Sequence, residues 1–253
     1  MDPIERFTGR AADYAYARPS YPEAALDALF AGLGDPRGLV AVDLGAGTGI
    51  SSRLLAAREA RVIAVEPNAA MRASAALAAS VTWLDARAES TGLEVASADL
   101  VVAFQAFHWF ERPAVLHEIE RILRPNGRAA VVYNERDESE PFTAAYGELV
   151  ERYAIDQTER RRVDGRHGFA SWSAWQPVRV IEIGNEQRLA RAGVHARANS
   201  TSYLPHRGKA GDSLHGALDA LFDEWARDGR VILRLKTSIA LGDRVDSMES
   251  GRL

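Results

Sequence analysis

The stretch Val40–Glu66, V-A-V-D-L-G-A-G-T-G-I-S-S-R-L-L-A-A-R-E-A-R-V-I-A-V-E, limits what this chain can fold into more than any other. An apolar run, 39–44, stops at three closely spaced glycines, Gly45, Gly47 and Gly49. A helical pattern follows from Ile50 to Arg58, and a second apolar run, 61–65, ends in Glu66. Strand, tight loop, helix, strand and acid make the first half of a nucleotide-binding α/β domain. Glycines after a strand let a ligand come close to the backbone. The helix that follows offers free N–H groups at its N-terminus. An acid closing the second strand can accept from both hydroxyls of a ribose, and Glu66 lies 19 residues after Gly47, the spacing that role needs.

The rest of the chain repeats the alternation. Pro22–Leu33 has apolar residues at helical spacing, with proline near its first position. A helix is expected over 69–79 and another over 112–123. Strands are expected near 39–44, 61–65, 81–84, 98–104 and 128–133, with turn chemistry at Arg124-Pro125-Asn126-Gly127. The uninterrupted apolar run 98–104 suits a strand covered on both faces. Strand and helix in alternation predict a doubly wound, mostly parallel sheet. After Asn134 the pattern changes. Helices are expected over 141–153, 187–196 and 214–228, and strands over 178–183 and 229–241. One domain, 1–253, accommodates this: a core of about 22–134 completed by the last two strands, an N-terminal flap of 1–21, and a lid of about 135–228.

Composition excludes several chemistries. The 253 residues contain no cysteine, so disulfides, thiolate metal sites and cysteine nucleophiles are absent. The histidines lack the spacing of a zinc site, and no metal is expected. Lys and Arg number 31 against 35 Asp and Glu, a formal charge of −4, which argues against a nucleic-acid partner. The polar start M-D-P-I-E-R-F and the lack of any apolar run near about 20 residues point to a cytoplasmic protein without a membrane partner.

The glycine loop does not meet the dinucleotide pattern G-x-G-x-x-G, because position 50 is Ile. This counts against the alternative of an NAD(P)-dependent oxidoreductase. D-L-G-A-G-T-G (Asp43–Gly49), with Glu66-Pro67 closing the second strand, resembles the first motif and acidic partner of class I S-adenosylmethionine-dependent methyltransferases. Ala88–Leu93 (A-E-S-T-G-L), Ala98–Phe110 (A-D-L-V-V-A-F-Q-A-F-H-W-F), Leu123–Arg128 (L-R-P-N-G-R) and the N-terminal Y-A-Y-A-R-P-S-Y-P extend the likeness over roughly 7–136. They resemble a bacterial small-molecule branch that includes trans-aconitate methyltransferase relatives. The resemblance implies a Rossmann-like sheet with an antiparallel last strand. It implies S-adenosyl-L-methionine as cofactor, with S-adenosylhomocysteine as product, and a methyltransferase activity on a small molecule. Asp43, Gly45, Ala46, Gly47 and Gly49 would then surround the methionine part, and Glu66 with Pro67 the ribose. Arg87, Ala88 and Glu89 would border the adenine, and Gln105 would sit near the methionine end. A non-catalytic homologue that only binds the cofactor is the remaining alternative. After the fourth strand stands Q-A-F-H-W rather than a D/N-P-P-Y-type motif, which disfavours a flipped nucleic-acid base as acceptor.

Other residues carry two readings each. Arg18 lies in an N-terminal segment that is either a packing arm or a flap, and its guanidinium is a bidentate donor for a carboxylate. Tyr14, in the same segment, faces substrate if the segment is a flap. His108 is either a base for the acceptor or a hydrogen-bonding partner of cofactor or loop. Trp109 stacks on a ligand or packs in the core. Phe169, Trp172 and Trp175 line an aromatic acceptor pocket or form the core of the lid. Tyr203 and His206 reach the site or do not. The acceptor atom expected from this set is an oxygen or nitrogen of a compact, aromatic or heteroaromatic metabolite.

Overall fold

A computed structural model of the chain describes residues 18–76, 78–156, 168–169, 177–205 and 207–244. Seven strands form one sheet: β1 (Val40–Leu44), β2 (Arg61–Val65), β3 (Val81–Leu84), β4 (Ala98–Phe104), β5 (Leu123–Arg136), β6 (Arg179–Leu189) and β7 (Val231–Asp243). Their order is β3-β2-β1-β4-β5-β7-β6. β1 to β5 pair in parallel, and β7 runs antiparallel to both β5 and β6. The helices are α1 (Glu23–Phe30), α2 (Ile50–Ala57), α3 (Ala69–Ala73), α4 (Arg112–Ile122), α5 (Pro141–Tyr153), α6 (Arg191–Asn199) and α7 (Gly208–Trp225).

Strand periodicity sorts the core into two layers. Val42, Leu44, Val101, Ala103, Ala129 and Val131 face α4, where Val115, Leu116, Ile119 and Ile122 close over them. Ala41, Leu100, Val102, Phe104, Ala130 and Val132 face the other way, onto Leu26, Leu29 and Phe30 of α1 and Leu55 of α2. Each fully buried leucine here contributes roughly 1.5–3 kcal/mol. A third cluster joins α5, α6 and α7 to the first half of β7, through Leu149, Val194, Leu214, Leu218, Leu233 and Leu235. Arg128, which is buried, ties the layers together. Its Nε donates to Asp243 at 2.5 Å, and its Nη1 donates to the carbonyls of Leu29 and Ala31 at the C-terminal end of α1.

Several boundaries differ from the sequence reading. α1 is shorter than 22–33, with Pro22 as its N-cap residue rather than its first turn. The helix expected over 69–79 is only Ala69–Ala73. Asn68 caps its start by accepting from the N–H groups of Ala70 and Met71. The alanine run beyond it has little apolar surface to bury, so a short helix gains no tertiary support. The turn 124–127 lies inside β5 as a bulge: Ala98 pairs with Leu123 and Leu100 with Arg128, and Asn126 takes a φ of 62°. The helix expected over 187–196 gives way to strand as far as Leu189. Gln187 and Leu189 pair with Leu233 and Val231, and that ladder overrides local helix preference. α6 starts only at Arg191, and α7 starts at Gly208 rather than 214. Asp228 and Gly229, both at positive φ, make the tight turn into β7.

Candidate active site

β1 and β4 are neighbours in the sheet, and their connections leave toward opposite sides. A crevice forms outside their carboxyl ends at such a reversal. Gly45–Gly49 follows β1 there, and Gln105 follows β4. The loop's backbone explains its glycines. Gly45 has a φ of 68°, and a Cβ on it would stand 2.7 Å from the Ala106 Cβ. Gly49, the N-cap of α2, has a φ of 74°, and its Cβ would meet Trp83 at 2.9 Å. Gly47 also has a positive φ, 58°, but nothing lies within 4 Å of a Cβ placed there. Gly45 and Gly49 are held by packing, whereas Gly47 faces the open cleft.

Two carboxylates lie beneath the loop. Glu66, following β2 and nearly buried, accepts from the Gly47 N–H at 2.9 Å and from the Asn68 N–H at 2.8 Å, one on each oxygen. Burial raises its pKa, and those two backbone donors hold it back. Each oxygen keeps a second lone pair for a hydroxyl. Asp43, wholly buried in β1, accepts from the hydroxyls of Ser51 and Ser52 on one oxygen, at 2.7 and 2.6 Å. Desolvation lifts its pKa from 3.8 to about 6, against the pull of the two serines. Its Oδ1 and the Thr48 hydroxyl are buried and meet no partner among the described residues. Buried polar atoms without partners are uncommon in folded proteins, and these two sit on or under a loop built for close approach.

The cleft wall brings distant parts of the chain together. Arg18 and Arg197 line it, with Tyr21, Phe104 and Gln105. Arg18 Nη2 donates to the Ser200 carbonyl at 3.0 Å, which fastens the N-terminal segment to the end of α6. Gln105 adopts a φ of 54° and donates from Nε2 to the Asn134 carbonyl at 3.1 Å. Tyr21 packs edge-on against Phe104 with centroids 4.7 Å apart.

The other sequence candidates fall in different places. Pro67 is half-buried beside Glu66. Ala88 is buried in the core cluster under α4. Arg87 is exposed, and Glu89 accepts from the Glu111 N–H at 2.8 Å, so these three form the base of the loop after β3. His108 follows β4 in a short 3-10 turn, with Trp109 half-buried beside it. Its backbone N–H donates to the Tyr133 hydroxyl at 3.2 Å, and Nδ1 lies 3.3 Å from the same oxygen. His108 is not among the residues that line the glycine-loop cleft. Phe169 is a correction: it is wholly buried, edge-on to Phe107 at 5.7 Å, and serves the core rather than an acceptor pocket. Tyr203 likewise packs in the α5–α6–α7 cluster. Tyr14, Trp172, Trp175 and His206 lie outside the described residues. Tyr133 and Arg197 were missed by sequence reasoning. One sits in an apolar strand and the other in an alanine- and arginine-rich helix, and neither belongs to a local motif.

The donor set fits an S-adenosyl group: an exposed loop backbone at Gly47, a carboxylate for hydroxyls at Glu66, an unmatched carboxylate oxygen at Asp43 for an ammonium, and Arg18 for a carboxylate. Comparison with known proteins agrees. Residues 42–131 match a methyltransferase domain family. An uncharacterised methyltransferase-like protein of Schizosaccharomyces pombe is 28% identical over 243 residues, covering 86% of each chain. An uncharacterised methyltransferase of Mycobacterium tuberculosis is 38% identical over 141 residues, spanning 55% of this chain and 56% of that one. A solved structure of a candidate type II methyltransferase from Anaeromyxobacter dehalogenans superposes with a TM-score of 0.69 at 27% identity, covering 89% of this chain and 97% of that one. A glycine loop at the sheet's reversal, two carboxylates beneath it and relatives that share the same domain lead to one reading: the protein is an S-adenosylmethionine-dependent methyltransferase with a Rossmann-like fold.

Proposed function

We propose that the chain methylates an oxygen or nitrogen of a small metabolite, by in-line displacement, in the crevice over Gly45–Gly49. The observation that carries this reading is a small cleft, lined by the glycine loop, two guanidiniums and an aromatic pair, at the carboxyl ends of β1 and β4. A compact cleft suits a compact acceptor better than a polymer, and the negative net charge disfavours a nucleic acid. The likeness of the 98–110 segment to the trans-aconitate methyltransferase branch supports the same class of acceptor.

When bound, the cofactor supplies an electrophilic methyl on a sulfonium. The protein's part is binding, orientation and exclusion of water. Glu66 would accept from the ribose hydroxyls while its other lone pairs hold the loop closed at Gly47. Asp43 Oδ1 would take an ammonium, and Arg18 a carboxylate. Tyr21 and Phe104 form an apolar wall that keeps water from the reacting end. Holding an acceptor in line with the methyl supplies several kcal/mol toward the barrier, so no strong base is needed for an acceptor already ionised. An acceptor that carries a proton calls for a base, and His108, set by Tyr133, is our candidate. The α5–α6–α7 cluster would close over the acceptor as a lid.

Calorimetry with S-adenosylhomocysteine, followed by transfer of a radiolabelled methyl group to a panel of small acids, phenols and amines, tests the proposal. Folded protein that binds no S-adenosylhomocysteine would refute it. Binding with methylation only of nucleic acid or protein would refute the small-molecule assignment.

A further inference from the structure

The stretch Arg18-Pro19-Ser20-Tyr21-Pro22 supplies one wall of the glycine-loop cleft through Arg18, Pro19 and Tyr21. Its two prolines fix their own φ and hold the residues before them, Arg18 and Tyr21, extended. Ser20 is therefore the freest joint of the stretch, and an anchor on it sets its neighbours. Ser20 is exposed, so hydrogen bonds rather than burial hold it. Its carbonyl accepts from Asn134 Nδ2 at 3.2 Å and from Asn185 Nδ2 at 2.9 Å.

Both amides are oriented by their partners. A carbonyl can only accept, so each asparagine turns its NH₂ toward Ser20. Asn134, buried in β5, accepts on Oδ1 from the Thr237 hydroxyl at 2.5 Å and from Asn185 Nδ2 at 3.1 Å. Asn185, on β6, accepts on Oδ1 from the Glu186 N–H at 2.8 Å. The donors thus run one way, from β6 and β7 through Asn134 to the Ser20 carbonyl. The Asn134 carbonyl also takes Gln105 Nε2 at 3.1 Å. Two walls of the cleft, the N-terminal stretch and the residue after β4, therefore hang on Asn134. Neither Asn134 nor Asn185 is among the residues that line the cleft.

We propose that Asn134 and Asn185 are positioning residues for cofactor binding, a two-amide clamp that holds Ser20, and with it the Arg18–Pro22 wall, in place on the cleft. Without the clamp the stretch leaves the wall for part of the time. Apparent affinity then falls by the fraction of molecules whose wall is in place. The cofactor escapes when the wall opens, so the loss belongs mainly to dissociation. The inference rests on the methyl-transfer reading and adds to it that the edge strand β6 governs how long the cofactor stays.

The test compares S-adenosylhomocysteine binding in the full wild-type chain, Asn185→Ala and Asn185→Asp. Asn185→Ala removes one of the two donors to Ser20, and calorimetry should show affinity lower by about three- to tenfold. Asn185→Asp keeps the size and the acceptor for the Glu186 N–H but sets an oxygen against the Ser20 carbonyl and Asn134 Oδ1. It should lose at least as much. Stopped-flow mixing should assign most of the loss to faster dissociation, with association within about twofold of wild type. Urea unfolding of the same samples separates this role from a structural one. A lower urea midpoint with unchanged affinity and dissociation rate overturns the proposal while leaving methyl transfer intact. A loss carried by slower association alone overturns it too. If neither variant folds, the amides serve the fold rather than the cleft, and the proposal falls. If S-adenosylhomocysteine does not bind the wild-type protein, the parent reading fails and this one with it.

Discussion

Gly45 and Gly47 stand two residues apart, both with left-handed φ, and their replacement by alanine should fail in different ways. The backbone cost is shared: a side chain in this region loses about 1–2 kcal/mol. At Gly45 the new methyl also lands 2.7 Å from the Ala106 Cβ and 3.0 Å from the Phe110 ring. Overpacking of that kind adds about 1–3 kcal/mol, so Gly45→Ala should lose about 2–5 kcal/mol of stability. At Gly47 the methyl meets nothing within 4 Å. Stability should fall only by the backbone cost. The methyl would occupy cleft space, however, and strain a loop whose Gly47 N–H is bonded to Glu66. Gly47→Ala should therefore weaken S-adenosylhomocysteine by about 10- to 100-fold, or about 1.4–2.8 kcal/mol. Urea unfolding and calorimetry on the same samples separate the two quantities. Wild-type affinity in Gly47→Ala would show that the ligand does not approach this backbone. A Gly45→Ala protein no less stable than Gly47→Ala would show that the contacts with Ala106 and Phe110 carry no weight.

Other expectations follow from the carboxylates. Glu66→Ala should weaken S-adenosylhomocysteine by about 1–3 kcal/mol, as hydroxyls and the Gly47 N–H lose their acceptor, read by calorimetry. Asp43 has its pKa raised from 3.8 to about 6 in the folded state. Its contribution to stability is full below pH 3.8 and is lost as pH rises through about 6, some 3 kcal/mol in all. Asp43→Asn should remove that slope from unfolding curves taken across the window. If Asp43 meets the cofactor's ammonium, affinity for S-adenosylhomocysteine should rise as pH goes from about 5 to 7 in the wild type and stay flat in Asp43→Asn. Glu118 behaves in the opposite sense. The Arg121 guanidinium and then Thr91 lower its pKa from 4.5 to about 2, so the stability it gives above pH 4.5 is lost as pH falls through about 2. Glu118→Ala should lose about 2–3 kcal/mol at neutral pH, measured by urea unfolding, by leaving the buried Thr91 N–H without its acceptor.

How much of this was legible depends on where each residue's partners lie. β2, β3 and β4 begin and end where a short apolar run meets polar residues, a signal carried by their own sequence. The Gly45–Gly49 loop was readable for the same reason: its geometry, capping and acid all lie within one short stretch. Gly184–Leu189 was not, since only β7, some fifty residues later, makes it a strand. α3 was overextended because alanine has high helix preference whether or not anything packs on it. In the site, Glu66 and Asp43 are announced by the motif. Arg197 is not, since it reaches the cleft through the packing of α6 against α7 and β7. His108 was read from its position after β4, and its backbone N–H is bonded to the Tyr133 hydroxyl, contributed by β5, a contact that no local motif announces.

The order β5-β7-β6 has a consequence for how the molecule comes into being. β6 is made before β7 but forms no backbone ladder with an earlier strand, because β7 fills the place between it and β5 along the registers Arg128–Arg136 and Arg179–Leu189. During synthesis, therefore, β6 waits without a partner. The helices that precede β7 cannot complete their core either, since Val231, Leu233 and Leu235 are part of it. One late strand thus closes the sheet and the helical cluster in the same event. Loop closure over so long a separation is slow. The half of the chain that carries Arg197 gains its shape only after the glycine loop already has its own.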